Sequence, residues 1–188
     1  SYRWLENFTS DEAKAWVDKQ NMYTQSFLIN EFKDEIKKDL ESIWTSEYLS
    51  TPFVVKDRTF FYFNNGDWQQ NKLMVKDCDL CEERVLIDPN SFSVDGTVSM
   101  ASASVSPDSN WIAFAISDGG SDWRTWRIMN INSGQVMDEE LNWSKFSSAE
   151  WSPDSLGFFY TKYPEPNGEE LSAINGSPKI LYHLVGSS

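Results

Sequence analysis

Val105-Ser-Pro-Asp-Ser-Asn-Trp111-Ile-Ala-Phe114 and Trp151-Ser-Pro-Asp-Ser-Leu-Gly-Phe158-Phe-Tyr160 are two versions of one pattern. The tetrapeptide Ser-Pro-Asp-Ser stands at 106–109 and returns at 152–155, a spacing of 46 residues. Proline fixes φ at the first central position of a turn, and Ser and Asp side chains bond the local backbone. An apolar run before and after such a turn reads as two strands of a hairpin. A repeat of roughly 40–50 residues built from short strands and tight turns is the signature of a β-propeller blade. The aspartates of both copies are therefore turn-formers, with no catalytic role assigned to them.

Working outward from the repeat, strand-like runs cover 53–55, 59–63, 72–76 and 84–87, enough for one blade. The next unit reads as strands over 100–105, 111–117 and 125–131, with a weaker fourth over 137–141. A third unit begins at 149–152 and 157–163 and resumes at 180–185 after a polar loop over 165–177. This makes about two and a half four-stranded antiparallel blades, truncated in the third. A propeller needs at least about four to close. A fragment, or closure with other chains, is the expectation.

Residues 1–50 have a different period. Thr9-Ser-Asp-Glu12 predicts a capping box, with Thr9 as the cap and a helix running toward Phe27. Phe32, Ile36, Leu40, Ile43 and Trp44 recur at intervals that predict a second helix, with Lys33, Asp34, Glu35, Lys37 and Lys38 on its solvated face. Two or three blades offer these stripes no packing surface, so a further domain is implied. The boundary falls between 1–50, helical, and 51–188, blades.

The chain has 188 residues, 40% of them hydrophobic, with nine tryptophans and a formal net charge of −13. Such composition supports a packed core. So acidic a surface repels phosphate, which argues against nucleic acid and anionic lipid as partners, and no apolar run reaches the ~20 residues of a membrane span. Cys78 and Cys81 are the two cysteines and His183 the single histidine. A zinc site lacks its second ligand pair. A redox Cys-x-x-Cys belongs at a helix start, whereas this pair separates two strand-like runs, so a hairpin turn is the reading. No metal or cofactor is expected.

Catalytic signatures are missing from these residues. There is no G-x-S-x-G elbow, and Gly119-Gly-Ser-Asp-Trp123 lacks its second glycine and its helix. His183 lies in a strand-like run, packed or exposed, with nothing that positions a triad partner. The sequons Asn7-Phe-Thr9, Asn142-Trp-Ser144 and Asn175-Gly-Ser177 matter only in a secretory setting.

Several stretches in order resemble the prolyl oligopeptidase family of serine peptidases. Tyr2-Arg-Trp-Leu-Glu6 with Ala15-Trp-Val17 and Gln20-Asn21 resembles its N-terminal helical segment. Thr59-Phe-Phe-Tyr-Phe63, Asp88-Pro-Asn90, Asp95-Gly-Thr-Val98, Gly120-Ser-Asp-Trp123, and Lys145-Phe-Ser147 with Trp151 resemble successive parts of its propeller. The resemblance implies a mainly β chain, the first blades of a seven-bladed propeller. The helical segment before them is expected to pack on an α/β-hydrolase domain outside these residues. It also implies a whole protein that cleaves short peptides after proline by Ser-His-Asp acyl transfer, the propeller restricting substrate size. The catalytic groups are then expected beyond Ser188, and these residues alone should be inactive. Phe146 matches a phenylalanine lining an apolar substrate subsite, and Asp122 an acidic residue near the substrate's amino end. The bland readings are blade core for Phe146 and an exposed turn for Asp122. The paired cysteines depart from the family pattern. The implied compartment is the cytoplasm, with periplasm or secretion left open. A non-enzymatic TolB-like propeller scaffold for protein binding is the alternative; it accounts for the repeat but poorly for residues 2–21.

Overall fold

A computed structural model describes residues 2–28, 31–166 and 176–187. Two compact units result, Ser1–Ser46 and Glu47–Ser188. The division falls before residue 50 because Tyr48-Leu49 already pairs as a strand, opposite Asn64 and Phe63.

The first unit holds a single 3-10 turn, Arg3–Glu6, and helices α1 (Asp11–Leu28) and α2 (Glu31–Trp44). Ser10, not Thr9, caps α1: its Oγ accepts from the Ala13 amide at 3.2 Å, while Thr9 Oγ1 turns back to Asn7 Oδ1. One residue decides it, because the cap must bond the amide three positions on. Trp4 meets Trp16 edge to face at 6.2 Å and Ala13 is buried, so the 3-10 turn folds back on α1. The α2 face carrying Ile36, Leu40, Ile43 and Trp44 is exposed, Trp44 at 87%.

The second unit holds three antiparallel sheets, mainly β as expected and not closed on themselves. Blade 1 comprises β1 (Tyr48–Leu49), β2 (Phe53–Val55), β3 (Arg58–Asn64), β4 (Lys72–Lys76) and β5 (Glu83–Ile87). One edge of its sheet is two short strands, β1 and β2, both paired with β3 and separated by Ser50-Thr-Pro52. Proline there has no amide for the ladder. Blade 2 is β6 (Val98–Val105), β7 (Trp111–Asp118), β8 (Arg124–Asn130) and β9 (Leu141–Ser144). Blade 3 contributes β10 (Glu150–Trp151), β11 (Gly157–Lys162) and β12 (Lys179–Leu184). Most of the polar loop expected over 165–177 lies outside the described residues, as does Asn175 of the third sequon.

The weak fourth strand expected over 137–141 lies instead at 141–144. Met137 only donates its amide to the Ile128 carbonyl, beside an isolated bridge from Met129 to Val136. The apolar residues at 136–137 thus close the β8 turn rather than open a strand.

Side-chain alternation along β7 builds two inter-sheet cores. Ile112 and Phe114 face blade 1, packing with Phe60, Leu73, Val75, Leu86 and Ile87. Ala113 and Ala115 face blade 3, where Trp126, Phe158 and Tyr160 fill the space that the alanines leave. Period-2 alternation sends one strand's residues to opposite faces, and here both faces are buried.

Both Ser-Pro-Asp-Ser segments form the same turn. Ser109 and Ser155 donate their amides to the carbonyls of Ser106 and Ser152 at 2.8 and 2.9 Å. Ser109 and Ser155 then take φ of 56° and 61°, the type I turn plus left-handed residue of a bulged hairpin. Ser106 and Ser152 hydroxyls bond Asp108 and Asp154 at 2.5 and 2.6 Å. The copies also touch: the Asp108 amide donates to Ser155 Oγ at 3.0 Å.

Candidate functional site

In an up-and-down meander, alternate connections lie at opposite ends of the sheet. The two Ser-Pro-Asp-Ser turns, the 131–136 turn and the 77–82 hairpin share one end of the blades. The β7–β8 turn and the β9–β10 link share the other. Asp122 sits in the first of these and Phe146 in the second, so the fold brings both expected site residues to one face.

Asp122 is exposed, in a turn made by Gly119 and Gly120 at φ of 56° and 73° and closed by Ser121 N–H to the Asp118 carbonyl at 2.9 Å. Phe146 is 68% exposed, which excludes blade core in the described structure. Its φ is 49°, a left-handed conformation uncommon for a bulky side chain and usually held by its surroundings.

Those surroundings link the two segments. Lys145 is buried and sets its Nζ 3.7 Å from the Trp123 ring centre, so the residue before Phe146 touches the residue after Asp122. Arg124 donates to the Ser147 carbonyl at 3.1 Å. Trp123 meets Trp143 at 5.5 Å and Tyr163 at 6.2 Å, both edge-on. Trp143 too is left-handed, at φ 65°. Below them Ser144, fully buried, accepts from Trp126 Nε1 and donates to the Thr161 carbonyl.

A cleft of about 590 Å³ opens beside Trp143 and Tyr163, with Glu140, Glu165, Lys162 and Lys179 on its walls. A neighbouring one of about 550 Å³ is lined by Trp123, Trp143, Arg124 and Asp118. Phe146 lines neither of these. The arrangement can hold an apolar group against aromatic surface and a cation near carboxylate. Among the described residues it contains no nucleophile–base pair.

Sequence reasoning gave Lys145 and Trp123 only as parts of resembling stretches, with no role, and missed Trp143 and Tyr163. Lysine reads as solvent-exposed, and the available signal was the clustering of aromatics at strand ends on one side of the blades. His183 is nine-tenths buried, packed on Phe158 at 5.7 Å with Nε2 3.4 Å from Glu139 Oε1; it is a structural histidine between blades 2 and 3. Cys78 and Cys81 form a disulfide in the β4–β5 hairpin. The hairpin reading had not included the bridge. Among the described residues no cluster of His, Cys, Asp and Glu could hold a metal.

Comparison with known proteins assigns this architecture. The family described as "Prolyl oligopeptidase, N-terminal beta-propeller domain" matches residues 1–188, the whole chain. The chain belongs to that family. It is 38% identical to a prolyl endopeptidase of Elizabethkingia meningoseptica and 39% to one of Elizabethkingia miricola, in each case across 99% of the chain and 26% of the relative. Among solved structures it matches a prolyl endopeptidase with a TM-score of 0.90 at 27% identity, over 99% of this chain and 28% of that one. It also matches prolyl oligopeptidase B of Galerina marginata bound to a 35mer substrate, with a TM-score of 0.86 at 25% identity, over 99% of this chain and 29% of that one. The chain thus spans about a quarter of the length of these relatives. No described helix is long and apolar enough to cross a membrane.

Proposed function

We propose that this chain is the entry part of a serine endopeptidase that cleaves short peptides on the carboxyl side of proline, its propeller restricting substrate size. The observation that carries this reading is the family match over every residue, with prolyl endopeptidases at 38–39% identity. The helical unit, residues 1–46, is the hydrolase-associated segment, and residues 47–188 hold the first blades. The apolar α2 face serves as the docking surface for the protein's own α/β-hydrolase domain. Phe146 supplies an apolar subsite wall and Asp122 attracts the amino end of the peptide. No cofactor is required by such chemistry.

The test uses the full-length protein and a blocked Gly-Pro anilide. Hydrolysis after proline, lost on replacing the serine of a downstream G-x-S-x-G, is the expected outcome; a full-length protein inert toward proline reporters would sink the reading. Residues 1–188 expressed alone are expected to show no hydrolysis.

A second reading concerns the compartment. The Cys78–Cys81 bridge favours an oxidising compartment, periplasmic or extracellular, over the cytoplasm. Thiol trapping of the protein in intact cells distinguishes them: a bridged pair resists alkylation.

A further inference from the structure

Phe146 is the free middle of a segment fixed on both sides. Lys145 lies along the face of Trp123, its Nζ 3.7 Å from the ring centre, and is 6% exposed, among the most buried polar residues described. A tryptophan face is the ring that best offsets an ammonium's partial loss of water. On the other side the Ser147 carbonyl accepts from Arg124 at 3.1 Å, and Ser147 Oγ accepts from the Thr161 amide at 3.0 Å. Only Phe146 points outward, 68% exposed and at φ 49°. An aromatic held left-handed and kept out of the core is arranged for something other than blade packing. Trp123 itself is fixed by Trp143 and Tyr163, so the clamp reaches from blade 2 to the start of the β11–β12 loop.

We infer that Lys145 is a positioning residue: through its contact with Trp123 it sets the backbone that presents the Phe146 ring to the substrate. This rests on the reading of Phe146 as a subsite wall. Lys145 touches no substrate. Its charge does its work inside the aromatic cluster, and the cluster thereby couples the turn that carries Asp122 to the link that carries Phe146. A flexible link would leave the ring in several orientations, and the peptide would have to select one at a cost in affinity.

The experiment is steady-state kinetics of the full-length protein on a blocked Gly-Pro anilide extended by one apolar residue, with crystal structures of the variants. F146A is expected to raise KM by about ten-fold with kcat nearly unchanged, the loss typical of an exposed aromatic anchor. K145M is expected to raise KM by a similar factor, and K145M/F146A to be no worse than F146A alone, because both act through one ring. K145R should restore most of the KM, since a guanidinium also stacks on tryptophan. W123L, which leaves the lysine in place, should behave as K145M does and serves if K145M does not fold. In the K145M structure residue 146 should leave the left-handed region. If F146A leaves KM unchanged, the subsite reading fails, and the backbone at 146 in K145M still decides the clamp. A K145M protein with φ at 146 unchanged overturns the inference, as does a loss that falls on kcat or adds in full to that of F146A.

Discussion

Asp77 is the residue on which two blades are joined. Its carboxylate accepts from Arg84 Nε at 2.7 Å and faces Arg58 Nε at 2.8 Å. Both arginines reach onward into blade 2: Arg84 to the Ile131 carbonyl at 2.8 Å, Arg58 to the Ser109 carbonyl and Asn132 Oδ1. The Arg84 hydrogen bond, more than partial burial opposes it, holds the Asp77 carboxyl below its ordinary value, with further help from both guanidinium charges. A carboxyl with a lowered folded-state pKa binds its proton more readily in the unfolded chain. Its stabilisation is therefore complete above the ordinary value near 3.8 and is lost as pH falls through the lower folded value. D77N should lower stability at neutral pH by about 1–2 kcal/mol, between the worth of exposed and buried pairs. It should also flatten the acid limb of the stability curve, which denaturant titrations between neutral and acid pH will read. An acid limb as steep in D77N as in the parent would remove Asp77 from the account. None of this was legible in sequence, where Asp77, Arg58 and Arg84 are three charges near turns. Lys145 was hidden for the same reason: charge predicts exposure until a ring or a carbonyl network is placed beside it.

At the scale of elements, the turns were legible and the interruptions were not. Ser-Pro-Asp-Ser declares itself because proline, aspartate and serine each have a local reason to occupy their position. The β4–β5 hairpin was legible too, as a break between two apolar runs. The shift of β9 to 141–144 was not, because its cause is tertiary: residues 136–137 close on β8, and Trp143 is left-handed against Trp123. The α1 cap differed by a single residue, a choice between adjacent hydroxyls that propensity cannot make. The candidate site was found half by resemblance, which supplied Phe146 and Asp122, while the pieces that join them came from packing. The Cys78–Cys81 bridge is an element-scale feature as well. It closes so short a loop that loop entropy allows it at most about 2 kcal/mol. Reduction, or the double replacement C78S/C81S, should therefore lower the unfolding midpoint by only a few degrees and leave the blades folded. Loss of cooperative unfolding on reduction would show that the bridge holds more than its own hairpin.

For the molecule as a whole, the informative quantity is what remains unsatisfied. The α2 face with Ile36, Leu40, Ile43 and Trp44 lies open, and so do Ile180, Tyr182 and Leu184 along β12. Apolar surface of this kind marks interfaces rather than solvent-facing wall. Both are explained if the chain is the first quarter of a larger peptidase. The hydrogen bond from the Asp108 amide to Ser155 Oγ then acquires a temporal meaning. The group that completes one turn is supplied by the turn 46 residues downstream, so a chain leaving the ribosome finishes each blade one blade in arrears. A stalled nascent chain with residues 1–145 clear of the ribosome on a tether should be cut by protease at 106–111 faster than one with residues 1–187 clear. S155A in the longer chain should restore part of that sensitivity, the effect of losing about 1 kcal/mol. Equal protection of both lengths would mean that each blade is finished when made. On the expected outcome the repeat is a relay, in which translation itself hands order from one blade to the last.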